Sequence, residues 1–214
     1  MDHNPYAAPR VELVEAPLPA TFLDPRWTPG HLRVMAGLSL AALLADLVLL
    51  LASWLAGSQS DTPLAHYIQW LDALCTLLGC FLSWRATGFL VARFAARGLR
   101  WPMWLSIGLA LIIQGYTLAF DHQLDGAMNV QLLGLMVLFV PSGLVALWYG
   151  IVLLRISLAY PSVKVLGWFD TLGGLCLASI LLFIPGTLLA TAGLLPMALM
   201  FLRGAREAAA GEPA

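Results

Sequence analysis

Residues 85–102 read RATGFLVARFAARGLRWP, and this stretch decides the fold. Arg85, Arg93, Arg97 and Arg100 crowd into sixteen positions between two long apolar runs. The run before them, residues 67–84, carries Asp72 as its only acidic or basic side chain; the run after them, residues 101–120, carries none. Two apolar segments long enough to cross a bilayer therefore meet at a basic turn. Working outward, the other Lys and Arg residues fall in three more groups: Arg10, Arg26 and Arg33; Arg155 and Lys164; Arg203 and Arg206. The two longer turns between them, residues 57–66 and 121–129, hold Asp and His but neither Lys nor Arg. Cytoplasmic loops keep Lys and Arg, and translocated loops lose them. The alternation predicts an even number of spans with both termini cytoplasmic.

The expected fold is all-α, a polytopic bundle of six transmembrane helices. The spans are His31–Ala56, Pro63–Arg93, Trp101–Phe120, Met128–Leu154, Lys164–Ile184 and, after a tight outer turn at Pro185-Gly186, a return to Leu202 interrupted by Pro196. A Pro-rich cytoplasmic leader, residues 1–30, precedes the membrane domain of residues 31–203, and a short cytoplasmic tail, residues 204–214, follows it. Val11–Ala16 has the makings of a short strand or turn. Pro141 and Gly143 predict a kink halfway along span four. The Pro185-Gly186 turn has no polar tip, so the competing reading is one broken re-entrant element with the C-terminus outside. The basic groups favour six spans.

Composition agrees with a membrane domain. The chain has 214 residues, of which 60% are hydrophobic and 11% charged, and its mean hydropathy is +0.84. Too few polar residues remain to coat an ordinary soluble domain. With a net charge of −1 and no basic face outside the membrane boundary, a nucleic-acid partner is excluded. Cys75, Cys80 and Cys176 lie inside apolar runs without a CxxC spacing, which predicts small buried side chains rather than a disulfide framework. Trp54 and Trp70 suit the outer interface, and Trp27, Trp101, Trp104 and Trp168 the inner one, because an indole matches an apolar body to a polar N–H.

Ionisable side chains inside spans are costly and mark functional candidates. Four stand out: Asp46, Asp72, Arg85 and Asp170. Helical rise places Arg85 and Asp170 at matching depth, Asp170 about 9 Å from the inner end of its span, which predicts an interhelical ion pair or a headgroup contact. Asp46 lies roughly 15 Å, and Asp72 roughly 10–14 Å, from the outer ends of spans one and two. Two carboxylates at such similar depth can share a proton where their helices touch. Small residues recur every fourth position as Gly37, Ala41 and Ala45, and as Gly79, Ser83 and Thr87, which predicts faces for close helix packing or for a partner. Gly174 and Ala178 form a shorter version.

Signatures of catalysis are missing. Neither a Gly-x-Ser-x-Gly elbow, an HExxH nor a phosphate-binding Gly loop occurs. His66 and His122 have acidic neighbours at Asp61, Asp121 and Asp125 but no compact ligand spacing, and no histidine lies at a depth suited to haem. No cofactor and no metal are expected. The leader segment Asn4-Pro5-Tyr6-Ala7-Ala8-Pro9 resembles the N-terminal leaders of small bacterial multi-pass inner-membrane proteins. That resemblance implies a bacterial plasma membrane and transfers neither an activity nor a site. The leading expectation is a non-enzymatic accessory or scaffold subunit packing against lipids, another membrane protein or a second copy of itself. The alternative is a small proton- or solute-coupled transporter, acting as a dimer, that uses the intramembrane carboxylates.

Overall fold

The computed structural model describes residues 27–56, 63–124, 130–157 and 159–210. All regular structure among them is helical: α1 (Pro29–Ala56), α2 (Pro63–Phe94), α3 (Arg100–Leu124), α4 (Val130–Leu154), α5 (Pro161–Ala178), α6 (Phe183–Ala192) and α7 (Leu194–Ala210). Five stretches are long and apolar enough to cross a membrane: Pro29–Ala52, His66–Phe94, Arg100–Phe120, Val130–Leu154 and the joined α6–α7, Phe183–Ala210. The 18-residue α5 carries Lys164 and Asp170 and is not among these five. The expected strand or turn at Val11–Ala16 and most of the expected leader lie outside the described residues.

The helices close into a ring. Each of α1 to α6 packs against the next, and α7 returns to pack on α1 and α5. The tightest pair is α4 and α5, joined through glycines at seven-residue spacing: Gly143 and Gly150 on α4, Gly167 and Gly174 on α5. A β-carbon at Gly150 would lie 2.6 Å from the Thr171 backbone nitrogen and 2.7 Å from the Gly167 oxygen. With two heptad-spaced glycines on each helix, the backbones come into direct contact, where dispersion is strongest.

Several boundaries differ from expectation. The turn between α5 and the last span falls at Ser179–Leu182, where Ile180 has φ +60° and the Ser179 hydroxyl accepts the Leu182 N–H at 3.3 Å. Pro185 and Gly186 instead lie in the first turn of α6. Proline is tolerated there because those N–H groups have no intrahelical acceptor, and Gly186 lets α6 close onto Leu177. Pro196 does interrupt the last span. It has no N–H to give the Ala192 carbonyl, and the helix breaks at Gly193. The predicted tail is helical to Ala210, with Gly204 and Ala205 buried. A β-carbon on Gly204 would meet the Phe89 ring at 2.7 Å, so the helix has to continue past Arg203 to fill this contact. At the other terminus, Trp27 is buried rather than interfacial and packs edge-on against Phe89 at 5.5 Å between ring centroids.

The buried core is lopsided. Leu32, Met35, Leu82, Phe89, Leu90, Leu99, Leu153, Val163, Met200 and Phe201 form one contiguous cluster. They belong to the helix ends, and to the α2–α3 connection, that also carry Arg93, Arg97, Arg100, Lys164 and Arg203, hereafter the basic end. Toward the opposite end, large apolar side chains such as Leu51, Trp70, Val130 and Leu181 are exposed.

A central cavity bearing three carboxylates

Inside the ring lies a cavity of about 750 Å³, and all seven helices contribute to its wall. Asp46 from α1, Asp72 from α2 and Asp170 from α5 all line it. Each is placed by its helix. Asp46 follows Ala42 on the inward side of α1, one turn along, and Asp72, Thr76, Gly79 and Ser83 form one face of α2 at helical spacing. Asp170 extends from α5 one residue before Thr171, whose hydroxyl returns to the Gly167 carbonyl at 2.7 Å.

The polar groups fall into two clusters. In the first, Asp46 neighbours both Asp72 and Cys75, and Asp72 neighbours Gln114 of α3. Thr76 donates to the Gln114 side-chain oxygen at 2.9 Å, which orients that amide. The Gln114 amide nitrogen is buried without a hydrogen-bond partner that satisfies normal geometry, so Asp72 is a neighbour rather than a made bond. The second cluster pairs Asp170 with Tyr149 of α4. The Tyr149 hydroxyl meets the Thr87 hydroxyl at 2.9 Å, linking α2 to α4. Among the described residues, neither cluster contains a cationic side chain in ion-pair contact. Carboxyl groups and hydroxyls on opposing helices give the cavity a polar interior.

Arg85 takes no part in it. The expected ion pair with Asp170 does not form. The guanidinium instead stacks on Trp27, 4.5 Å from the ring centroid, faces Trp84 at 5.9 Å and reaches the His31 ring nitrogen at 2.5 Å. A π face and an imidazole thus take the place of a carboxylate beside the cation, and its Nε is buried without a hydrogen-bond partner. Arg85 turns toward Trp27 and His31 at the start of α1, whereas Asp170 lines the cavity near Tyr149 of α4.

The small-residue faces divide. Gly79 and Ser83 look into the cavity and Thr87 is buried on Tyr149, so the α2 stripe opens inward. On α1, Gly37 and Ala41 are exposed and Ala45 is half-buried. Of the glycines that seat helix on helix, Gly143 is read from the sequence only as part of a kink, and Gly150 and Gly167 carry no sequence expectation. Their seven-residue repeat was the available signal.

At the basic end a second polar group closes the bundle. Glu207 of α7 receives Arg93 of α2 at 3.0 Å and Arg203 at 3.5 Å, and it accepts a hydrogen bond from Tyr160, which precedes α5. Arg203 also lies over the Tyr160 ring at 4.8 Å. Burial and the Glu207 carboxylate push the Tyr160 phenol up to about 12. Lys164 donates to the carbonyls of Leu154 and Ile156, both at 2.6 Å, satisfying the open end of α4.

His66, weighed as a metal ligand, accepts the Trp70 indole N–H at 2.9 Å. Among the described residues no group of three His, Cys, Asp or Glu side chains could hold a metal ion. Compared with protein-family models, curated proteins and solved structures, the chain matches none, and the reading of the cavity rests on its own geometry.

Proposed function

We propose that the protein is a bacterial inner-membrane carrier of six spans, with both termini cytoplasmic, that moves a small polar solute or a proton through the central cavity. The observation that carries this reading is the placement of Asp46, Asp72 and Asp170 on one cavity of about 750 Å³ lined by all seven helices. Carboxylates in that position are costly unless they bind or exchange something. Two neighbouring carboxylates that share a proton couple its loss to the arrival of a cation. The one-sided basic groups support the six-span arrangement, with α5 as the short fifth span and α6–α7 as the sixth. The test is flux in reconstituted vesicles loaded with a pH-sensitive dye, comparing the wild type with Asp46→Asn and Asp72→Asn. Proton- or cation-dependent flux that either substitution abolishes supports the reading; a wild type that conducts no more than empty vesicles sinks it.

A second reading, a subunit that packs on another membrane protein, is supported by a different observation. Val34, Gly37, Ala41, Leu44 and Val48 make an exposed seam along α1 at alternating three- and four-residue spacing. This is the spacing of a helix–helix contact. Stoichiometric co-purification of one membrane protein, lost in Gly37→Leu, distinguishes it from the carrier.

A further inference from the structure

We propose that Glu207 is the latch of a gate at the basic end of the cavity, and that solute passes that end only when its contacts with Arg93 and Tyr160 open. The inference rests on the carrier reading and adds the device that controls access to its site. The cavity has a floor toward the basic end, made by Met103, Leu166 and Met197, all buried. Below the floor the tightly packed core begins, with Phe89 and Phe201 in edge-on contact at 5.7 Å. Below that again, one helical stretch from Met197 and about 15 Å along α7, lies Glu207. Toward the opposite end, Leu188 and Ala190 of the cavity wall are exposed. The packed core thus separates the cavity from the basic end.

Glu207 joins parts that must separate for that end to open. Arg93 terminates α2, Tyr160 begins α5, and α7 carries Glu207 itself. Packing between α2 and α7 is sparse except where Phe89 meets Phe201 and Gly204. The carboxylate thus ties together three elements that the apolar contacts hold only in part. A flexible point is available as well: the helical stretch is interrupted between α6 and α7 at Gly193, one turn before the floor residue Met197, where Pro196 leaves a carbonyl without its N–H partner. A two-state gate needs a contact that solvent can replace, and the Glu207 carboxylate keeps a third of its side-chain surface exposed.

Cys75 and Cys80 line the cavity and report on access to it. In a Cys176→Ala background, a membrane-impermeant maleimide is added to the basic-end side or to the opposite side of oriented proteoliposomes. The wild type should label from the opposite side and resist labelling from the basic end. Glu207→Gln, which keeps the shape and removes the charge, should raise basic-end labelling about tenfold through a shifted population. Tyr160→Phe removes one of the contacts and should raise it less, and this milder variant decides the matter if Glu207→Gln does not fold. Labelling from the opposite side with no basic-end increase in the folded variants overturns the gate and leaves the carrier standing. A wild type and variants that label from neither side remove the carrier reading and the gate with it.

Discussion

Gly143 of α4 and Gly174 of α5 exclude each other's side chains: the carbonyl oxygen of each lies 2.5 Å from where a β-carbon on the other would be. The helices are as close as two backbones can be. This contact fixes the position of Asp170, four residues before Gly174, against Tyr149, six residues after Gly143. The geometry of the second carboxylate cluster therefore depends on two absent side chains.

Gly174→Ala should lower thermal stability in detergent by about 1–3 kcal/mol, the usual cost of overpacking, with Gly143→Ala similar. Gly115, on α3, has open space around its missing β-carbon. Gly115→Ala should be neutral or stabilise by up to about 1 kcal/mol, since alanine restricts the unfolded chain. Equal losses at Gly174 and Gly115 in scanning fluorimetry would contradict the packing described.

Arg85 should couple to Trp27 and not to Asp170. In a double-mutant cycle, Arg85→Ala with Trp27→Ala should show an interaction of about 0.5–2 kcal/mol. Arg85→Ala with Asp170→Asn should be additive to within about 0.5 kcal/mol. Strong coupling in the second cycle would restore the ion pair that depth alone predicts.

Tyr149→Phe removes the 2.9 Å contact with Thr87 and should cost about 0.5–1.5 kcal/mol. Adding Thr87→Val should cost less than its own single substitution, because no buried hydroxyl is then left unpaired. A double variant worse than the sum of the singles would mean that the two hydroxyls serve different partners.

The pH dependence of Tyr160 has a definite sign. Its phenol is raised from an ordinary 10.0 to about 12, so between these values the unfolded chain releases a proton that the folded chain retains. Stability from this group is complete below pH 10 and is lost as the pH rises toward 12. Tyr160→Phe should flatten that part of a stability profile read by chemical unfolding in detergent. An equally steep decline in the variant would assign it to other groups.

Reporters fused after Arg206 should read cytoplasmic, and one inserted at residues 125–129 should read outside. A C-terminal fusion that reads outside would replace the six-span arrangement with the broken re-entrant element.

Much of the helical plan was legible because apolar runs and basic turns act one residue at a time. The breaks at Gly193 and near Arg100 could be read from local signals, a proline that lacks an N–H and a cluster of cations. Depth, also local, correctly brought Asp46 and Asp72 together, since adjacent helices joined by a short turn have few ways to face. It failed for Arg85 and Asp170, because rotation about the helix axis determines which side of a ring a residue occupies, and rotation is set by packing. The Pro185-Gly186 segment misled for a similar reason. Proline and glycine mark a turn in isolation, yet both fit a helical first turn once Leu177 needs a neighbour without a side chain. Glu207 was overlooked inside a sequence that looked like a polar tail. Besides the neighbouring Arg203, its partners lie 114 and 47 positions away.

The ring has a consequence for how the protein is made. Helix α1 leaves the ribosome before the other described helices and α7 after them, yet the two are direct packing partners. Until the final helix emerges, the flank of α1 that holds Leu32, Met35 and Ala36 has no permanent cover, and the cavity has no complete wall. A nascent chain must therefore keep α1 waiting for α7, and a ribosome that stops before Leu194 releases a bundle with an open seam.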